Sequence, residues 1–239
     1  MSKGPLGIRF GAIPVPAPEA GALSRIHVDV ENIGSVAWGD GVFLSYHWLD
    51  SRDNPIVWDG VRTTPPQLAP GEQATVELAV RGPIPPGPYR LALDAVAEHR
   101  VWFSELGSDM LRIDVQVLAR NGEPSATLPP WVEKTPAWDE HTRTAHAEGY
   151  AVVAGSIDWD GGLWRRQPRA LDPYRPGSGR VPRFGSPLLC PSVLPGVVEL
   201  EPLGEVAGLP AFAAPRGEPW LYDGRAVLRA RPRSDRRPT

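Results

Sequence analysis

Apolar and polar positions alternate with period two through most of the first half of the chain. From Ser24, Ile26, Val28 and Val30 point one way and Arg25, His27, Asp29 and Glu31 the other, the signature of a half-solvated antiparallel strand. Val42 to Leu49 sets Val42, Leu44, Tyr46 and Trp48 against Phe43, Ser45, His47 and Leu49. Bulk on both faces predicts a strand central to its sheet. Further strands are predicted around Val76, Leu78 and Val80, from Tyr89 through Leu91 and Leu93, at Val101–Phe103, and along Leu111, Ile113, Val115 and Val117. Turn formers separate them at Asn32–Gly34, Ser51–Pro55 (leading into Ile56–Trp58), Pro70-Gly71 and Gly82–Gly87. Gly7 to Val15 mixes apolar residues with prolines and suits a sheet edge, and Thr63–Pro70 is read as crossing between sheets. Short strands at this spacing predict an antiparallel β-sandwich.

The pattern changes after residue 120. Asn121 to Pro130 has the composition of a linker. Trp131 to Gly149 is predicted helical, with Thr135 as N-cap, Pro136 in the first turn, Asp139 and Glu140 favouring the N-terminal dipole, and Gly149 as terminator. Tyr150 to Ile157 reads as a buried strand, and Asp160-Gly161 as a hairpin turn across which Trp159 and Trp164 would pair. Ser186–Phe212 carries prolines every few residues, which predicts extended segments and turns. Trp220 to Leu228 reads as a closing hairpin or strand–turn–strand, and Arg229 to Thr239 as a disordered tail. The expected fold class is mainly β: an N-terminal sandwich (1–120), a linker (121–130), and a smaller Pro/Gly-rich β or α+β domain with one helix (131–228).

Composition narrows the function classes. The 239 residues are 41% hydrophobic and 22% charged, as in a soluble globular protein. The 29 prolines and 25 glycines lean toward irregular structure, yet nine tryptophans argue for packed domains rather than disorder. A net charge of −3 is too near neutral for a dedicated nucleic-acid or membrane-surface binder. One cysteine, Cys190, excludes an intramolecular disulfide and a multi-cysteine metal site. No apolar run reaches membrane-spanning length, and the start lacks a signal-peptide core, so the expected location is cytoplasmic.

Several groups of residues invite chemistry. His141 and His146 lie five apart on the predicted helix, about 140° around its axis, whereas paired zinc ligands need four. Asp158 and Asp160 end the buried strand as Asp-x-Asp, which resembles the corner where many glycosyltransferases hold a metal and a sugar nucleotide. The hairpin reading of Asp160-Gly161 is favoured, and both aspartates remain weak metal candidates. Arg165, Arg166, Arg169, Arg175, Arg180 and Arg183 make a basic loop opposed by Asp172 alone. It would be a solvated loop or a grip on an anionic polysaccharide, a nucleotide diphosphate or an acidic face of a partner. Cys190 lies among apolar residues and prolines and is not read as a nucleophile. Trp38 and Trp48 are expected in the core. Trp58 and Trp102, beside Asp59, Gly60 and Arg62 and beside Ser104 and Glu105, are the candidates for exposure. Stacking on a sugar or anchoring a partner is the functional alternative to inter-strand packing.

Asn32-x-Gly34-x-x-x-Trp38, then Leu44 and Trp48, Ala69-Pro70-Gly71-Glu72, Pro86-Gly87-x-Tyr89-Arg90-Leu91 and Trp102-Phe103 together resemble the four-tryptophan (FW) immunoglobulin-like domain. That domain is known from selective-autophagy cargo receptors and from bacterial proteins of polysaccharide and glycosyltransferase gene sets. The resemblance covers about residues 22–118 and implies an immunoglobulin-like binding module without catalytic residues. Nothing in the chain presents a nucleophile–base pair, a zinc signature or a phosphate loop. The expected function is therefore a non-enzymatic binding or assembly module, without a cofactor, contacting a glycan or a protein of a cell-surface polysaccharide system. The expected ligand contacts are Trp58, Arg62, Trp102, Trp164, Arg165, Arg166, Arg169, Arg180 and Arg183. The alternative is an accessory or catalytic component acting on a sugar nucleotide or polysaccharide through Asp158, Asp160 and the 165–183 loop.

Overall fold

The computed structural model describes residues 4–126, 128, 130–159, 162–163, 183–184, 189–196, 198–206, 209–213 and 218–230. For 159, 162–163, 183–184, 189, 205–206 and 209–211 it describes the backbone only. The chain divides into two compact units, Met1–Leu118 and Ala119–Thr239.

Unit 1 is an immunoglobulin-like antiparallel β-sandwich. Its strands are β1 (Ile8–Phe10), β2 (Leu23–Asn32), β3 (Val42–Leu49), β4 (Pro55–Val57), β5 (Gln73–Arg81), β6 (Gly87–Ala97), β7 (Val101–Trp102) and β8 (Leu111–Val117), with a 3-10 turn at Ser104–Leu106. One sheet has the order β1-β2-β5. The other runs β4-β3-β6, and the far side of β6 is shared by β8 against Gly87–Leu93 and β7 against Val96–Ala97. In β2, Ile26, Val28 and Val30 are buried while Arg25, His27 and Asp29 are not. The outer face of that sheet carries ion pairs, Arg25 with Glu77 and Arg9 with Glu31. Such pairs contribute little to stability.

Between the sheets lie Leu44, Tyr46 and Trp48 from β3, Leu78 from β5 and Leu91 and Leu93 from β6, all 2% exposed or less. Trp48 donates its indole N–H to the Arg81 carbonyl at 2.8 Å, and the Tyr46 hydroxyl accepts the Arg81 N–H at 2.8 Å. Burial raises the Tyr46 pKa above the ordinary phenol value. Trp38 is buried edge-on against Phe103. The Asn32 side chain ties this end of the sandwich together. Its Nδ2 donates to the Val36 and Leu68 carbonyls, and its Oδ1 accepts the Gly34 N–H. Gly34 is a glycine because a Cβ there would stand 2.6 Å from the Pro5 carbonyl oxygen. The 63–70 crossing is anchored at both ends: Thr63 pairs with Leu44 of β3, and Leu68 accepts the Trp38 N–H.

Unit 2 contains β9 (Val132–Lys134), α1 (Pro136–Glu148), β10 (Val152–Trp159), β11 (Gly162–Leu163), β12 (Arg183–Phe184), β13 (Leu189–Val193), β14 (Glu201–Val206), β15 (Leu209–Ala213) and β16 (Trp220–Ala230). One sheet has the order β11-β10-β16-β9, with β13 also on β10; a second has the order β12-β15-β14. The helix begins at Pro136 rather than Trp131. Proline disfavours helical geometry in the residue before it, and Thr135 is extended, at φ −101° and ψ 159°, while its hydroxyl caps the Trp138 N–H. The three residues before Thr135 pair with Leu228–Ala230 instead. Gly149 ends the helix with φ 116°.

Three further expectations are corrected. Trp220–Leu228 is not a hairpin but part of one long strand parallel to β10, with an irregularity where Gly155 opposes Asp223 and Ser156 opposes Val227. Asp223-Gly224 turns the backbone within that bulge instead of reversing it. Gly155 faces this bulge, and a Cβ there would meet the Ala226 carbonyl oxygen at 2.2 Å and the Trp138 ring at 2.5 Å. Arg229 and Ala230 belong to β16 and not to a tail, and Ala230 is fully buried. The segment read as linker takes part in unit 2: Ser125 bridges to Val193, and Ala126 and Leu128 pack against the cluster of Val132, Trp138, Ile157 and Leu228.

Two buried groups make measurable predictions in unit 2. His146 is 1% exposed with neither ring nitrogen hydrogen-bonded among the described residues. Burial, reinforced by the positive charge of Arg120, lowers its pKa to about 4. The folded state therefore keeps His146 neutral while the unfolded chain protonates it near pH 6.5. Stability falls as the pH drops from 6.5 to 4, by about 3 kcal/mol in all. His146→Leu should flatten this dependence, as read from urea midpoints at pH 7 and pH 4.5; equal slopes for the two proteins would contradict it. Burial also pushes the Cys190 thiol up to about 12. In native buffer at pH 7.5, iodoacetamide should leave Cys190 unmodified over hours and alkylate it fully in denaturant, as followed by mass spectrometry.

Candidate functional site: an aromatic platform on unit 1

The outer face of the β3–β6 pair is built from Phe43, Ser45 and His47 opposite Val96, Asp94 and Ala92. On an uncovered sheet these positions would meet solvent, yet Ser45, His47 and Asp94 are 0%, 0% and 1% exposed. The cover is the segment following β4, residues 58–62, together with β7. Gly60 makes this possible. Its N–H donates to the Tyr46 carbonyl, and a Cβ would stand 2.6 Å from that same oxygen. The chain can therefore lie directly on β3 and bring Trp58 above His47.

Trp58 stacks on the His47 imidazole with centroids 3.9 Å apart and planes 16° from parallel. The His47 Nδ1–H donates to the Trp58 carbonyl, so ring and backbone are both fixed to the same histidine. Trp102 stands edge-on to both, 4.5 Å from His47 and 6.2 Å from Trp58 at 69°. Below, His47 Nε2 lies 3.6 Å from Asp94 Oδ2, and neither atom has a hydrogen-bond partner among the described residues. The other Asp94 oxygen accepts the Ala95 and Ser104 N–H groups. Asp94 thus holds the turn after β7 through the Ser104 N–H.

Trp58 is 45% exposed although one of its faces is closed by His47. Trp102 is half-buried. Arg62 lies over Trp102, its Cζ 5.0 Å from the ring centroid. Its guanidinium contacts Glu98 at 2.9 Å, Asp59 at 2.5 Å, Ser45 Oγ at 3.0 Å and the Gly60 carbonyl at 3.2 Å. Burial opposes the Arg62 charge, but Glu98 and Asp59 outweigh it and the pKa stands above the ordinary value. Arg62 therefore holds the platform's shape, and its charge is already matched.

The structure thus brings together three of the residues read from sequence, Trp58, Arg62 and Trp102. It adds His47, Asp94 and Ser45, which the sequence reading did not single out. Their one signal was the bulk and polarity on the second face of a central strand. Trp164, Arg165, Arg166, Arg169, Arg180 and Asp160 lie outside the described residues, and Arg183 is described only as backbone in β12. Asp158 has one buried carboxylate oxygen without a hydrogen-bond partner among the described residues and pairs with Leu163 across β10 and β11. No cluster of three or more His, Cys, Asp or Glu able to hold a metal occurs among the described residues. No helix among them is long and apolar enough to cross a membrane.

No family model matches the sequence, and no curated protein matches it. Among solved structures the chain is similar to a β-glucosidase from Listeria innocua in complex with isofagomine, at 18% identity over 47% of this chain and TM-score 0.32. That match spans 16% of the β-glucosidase. The CARDB domain of PF1109 from Pyrococcus furiosus is 18% identical over 49% of this chain and 97% of that domain, with TM-score 0.31. The putative ApaA protein from Bordetella pertussis is 22% identical over 48% of this chain and 97% of its own, with TM-score 0.27. At these scores the similarities bear on neither ligand nor activity.

Proposed function

We propose that this chain is a non-enzymatic binding module whose N-terminal unit contacts a glycan through Trp58, as a component of a polysaccharide-handling system. The observation that carries this reading is an indole with one face locked against a buried histidine in a residue that is still 45% exposed. An exposed, immobilised indole suits the apolar C–H face of a sugar ring, and the rigidity reduces the ordering cost of binding. The size of the surface favours a sugar over a protein. A stable protein interface takes roughly 800 Å² per partner. The open aromatic surface is centred on Trp58, the one indole that is exposed among the described residues, with Ile56 at 37% exposure two residues away in sequence. The four-tryptophan resemblance points the same way, toward a module that binds and does not catalyse.

A glycan array probed with the full chain and with Trp58→Ala tests this. Binding by the full chain that falls at least about tenfold in Trp58→Ala, with the fold intact by circular dichroism, is the expected result. Binding unchanged by the substitution, or no glycan bound at all, would overturn it.

A further inference from the structure

We infer that the sugar seated on Trp58 carries an amino group in its ammonium form. This rests on the glycan reading above and specifies its chemistry.

The charges around the platform are unbalanced. Asp59 is adjacent to Trp58 in sequence, and its side chain is 69% exposed. Glu98 lies on the other side of Arg62 with 32% exposure, and Glu105 accepts the Trp102 N–H at 3.2 Å. Beneath the rings lies the Asp94 carboxylate, its Oδ2 3.6 Å from His47 Nε2. The cations in the same segments are Arg62 and, with His99, Arg100 in the turn between β6 and β7. Arg62 cannot turn outward to an anionic ligand without giving up contacts to two carboxylates, a hydroxyl and a carbonyl. A uronic-acid ring on Trp58 would therefore place its carboxylate beside Asp59, where Arg62 is already held by Asp59 and Glu98. A neutral ring gains stacking only. An ammonium group gains stacking, the negative face of the open indole and the exposed carboxylate of Asp59. Charge complementarity selects the third.

The test compares three soluble oligosaccharides of equal length binding to the full chain: protonated glucosamine oligomers, their N-acetylated counterparts, and galacturonate oligomers. Titration calorimetry at low salt should show the glucosamine oligomer bound about five- to tenfold more tightly than the N-acetylated one, and the galacturonate oligomer bound most weakly. The preference should shrink toward parity as salt rises to about 0.5 M. Asp59→Asn should remove the preference and leave N-acetylated binding in place, whereas Trp58→Ala should weaken both.

Equal affinity for amino and N-acetylated oligomers, both lost in Trp58→Ala, would overturn the ammonium inference and leave the glycan reading standing. Failure of all three to bind would overturn the ammonium inference, and an array with no glycan bound would overturn both. A tetralysine peptide that binds more tightly than the glucosamine oligomer, and is lost in Trp58→Ala, would replace the sugar with a basic polypeptide.

Discussion

Asn32→Ala is expected to cost unit 1 about 3–5 kcal/mol, although it removes a polar side chain from a turn. Asn32 is fully buried, and its amide satisfies three backbone groups: the carbonyls of Val36 and Leu68 and the N–H of Gly34. Each buried group left without a partner costs roughly 1–3 kcal/mol, and partial relaxation keeps the sum below the maximum. The same turn sets the entry of Trp38, whose N–H also goes to Leu68. Asn32→Asp separates the hydrogen bonds from the volume. It can still accept from Gly34, but its second oxygen would face two carbonyls, so it should be about as destabilising as alanine. Urea denaturation combined with hydrogen exchange across β2 and β5 would read both variants. A cost below about 1 kcal/mol for either would mean that the turn is not what closes this end of the sandwich.

Trp48→Ala is expected to be of similar severity, about 3–5 kcal/mol. Trp48 is 0% exposed, lies edge-on to both Tyr46 and Tyr89, and bonds across the sandwich to Arg81 of β5. Trp48→Phe keeps most of the packing but leaves the Arg81 carbonyl without its indole donor. Its cost should be nearer 1–2 kcal/mol. Exchange protection should be lost in unit 1 for the alanine variant. Protection lost equally in unit 2 would show the two units unfolding together.

The first sheet was legible because one of its faces meets solvent. Ile26, Val28 and Val30 against Arg25, His27 and Asp29 is a pattern that only a half-buried strand produces, and the structure follows it residue by residue. β3 announced itself as central by bulk on both faces, but its second face is covered by residues 58–62, which have no period of their own. The His47–Asp94 approach joins positions 47 residues apart in different strands, and no local pattern in a single sequence encodes such a pairing. In unit 2 the signals competed. Asp223-Gly224 has the chemistry of a hairpin turn, yet β10 offers a parallel partner to both sides of it, and the turn survives as a bulge. Arg229 looked like the start of a polar tail because its neighbours beyond Ala230 are charged. Its own alternation with buried Leu228 and Ala230 places it on the exposed side of a strand. Proline 136 gave the helix its start, but through the residue before it, and the hydrophobic Trp131-Val132 pair was read as helix where it feeds a sheet.

The platform predicts a specific spectroscopic response. The chain has nine tryptophans, and their indole N–H resonances report separately on the surface and on the two cores. Titrating the ¹⁵N-labelled full chain with the glucosamine oligomer should shift the Trp58 signal most and Trp102 next. Trp38 and Trp48, both buried, should stay in place. Saturating oligosaccharide that leaves the Trp58 resonance unmoved, or that shifts only tryptophans of residues 119–239, would contradict the assignment of the binding surface to unit 1.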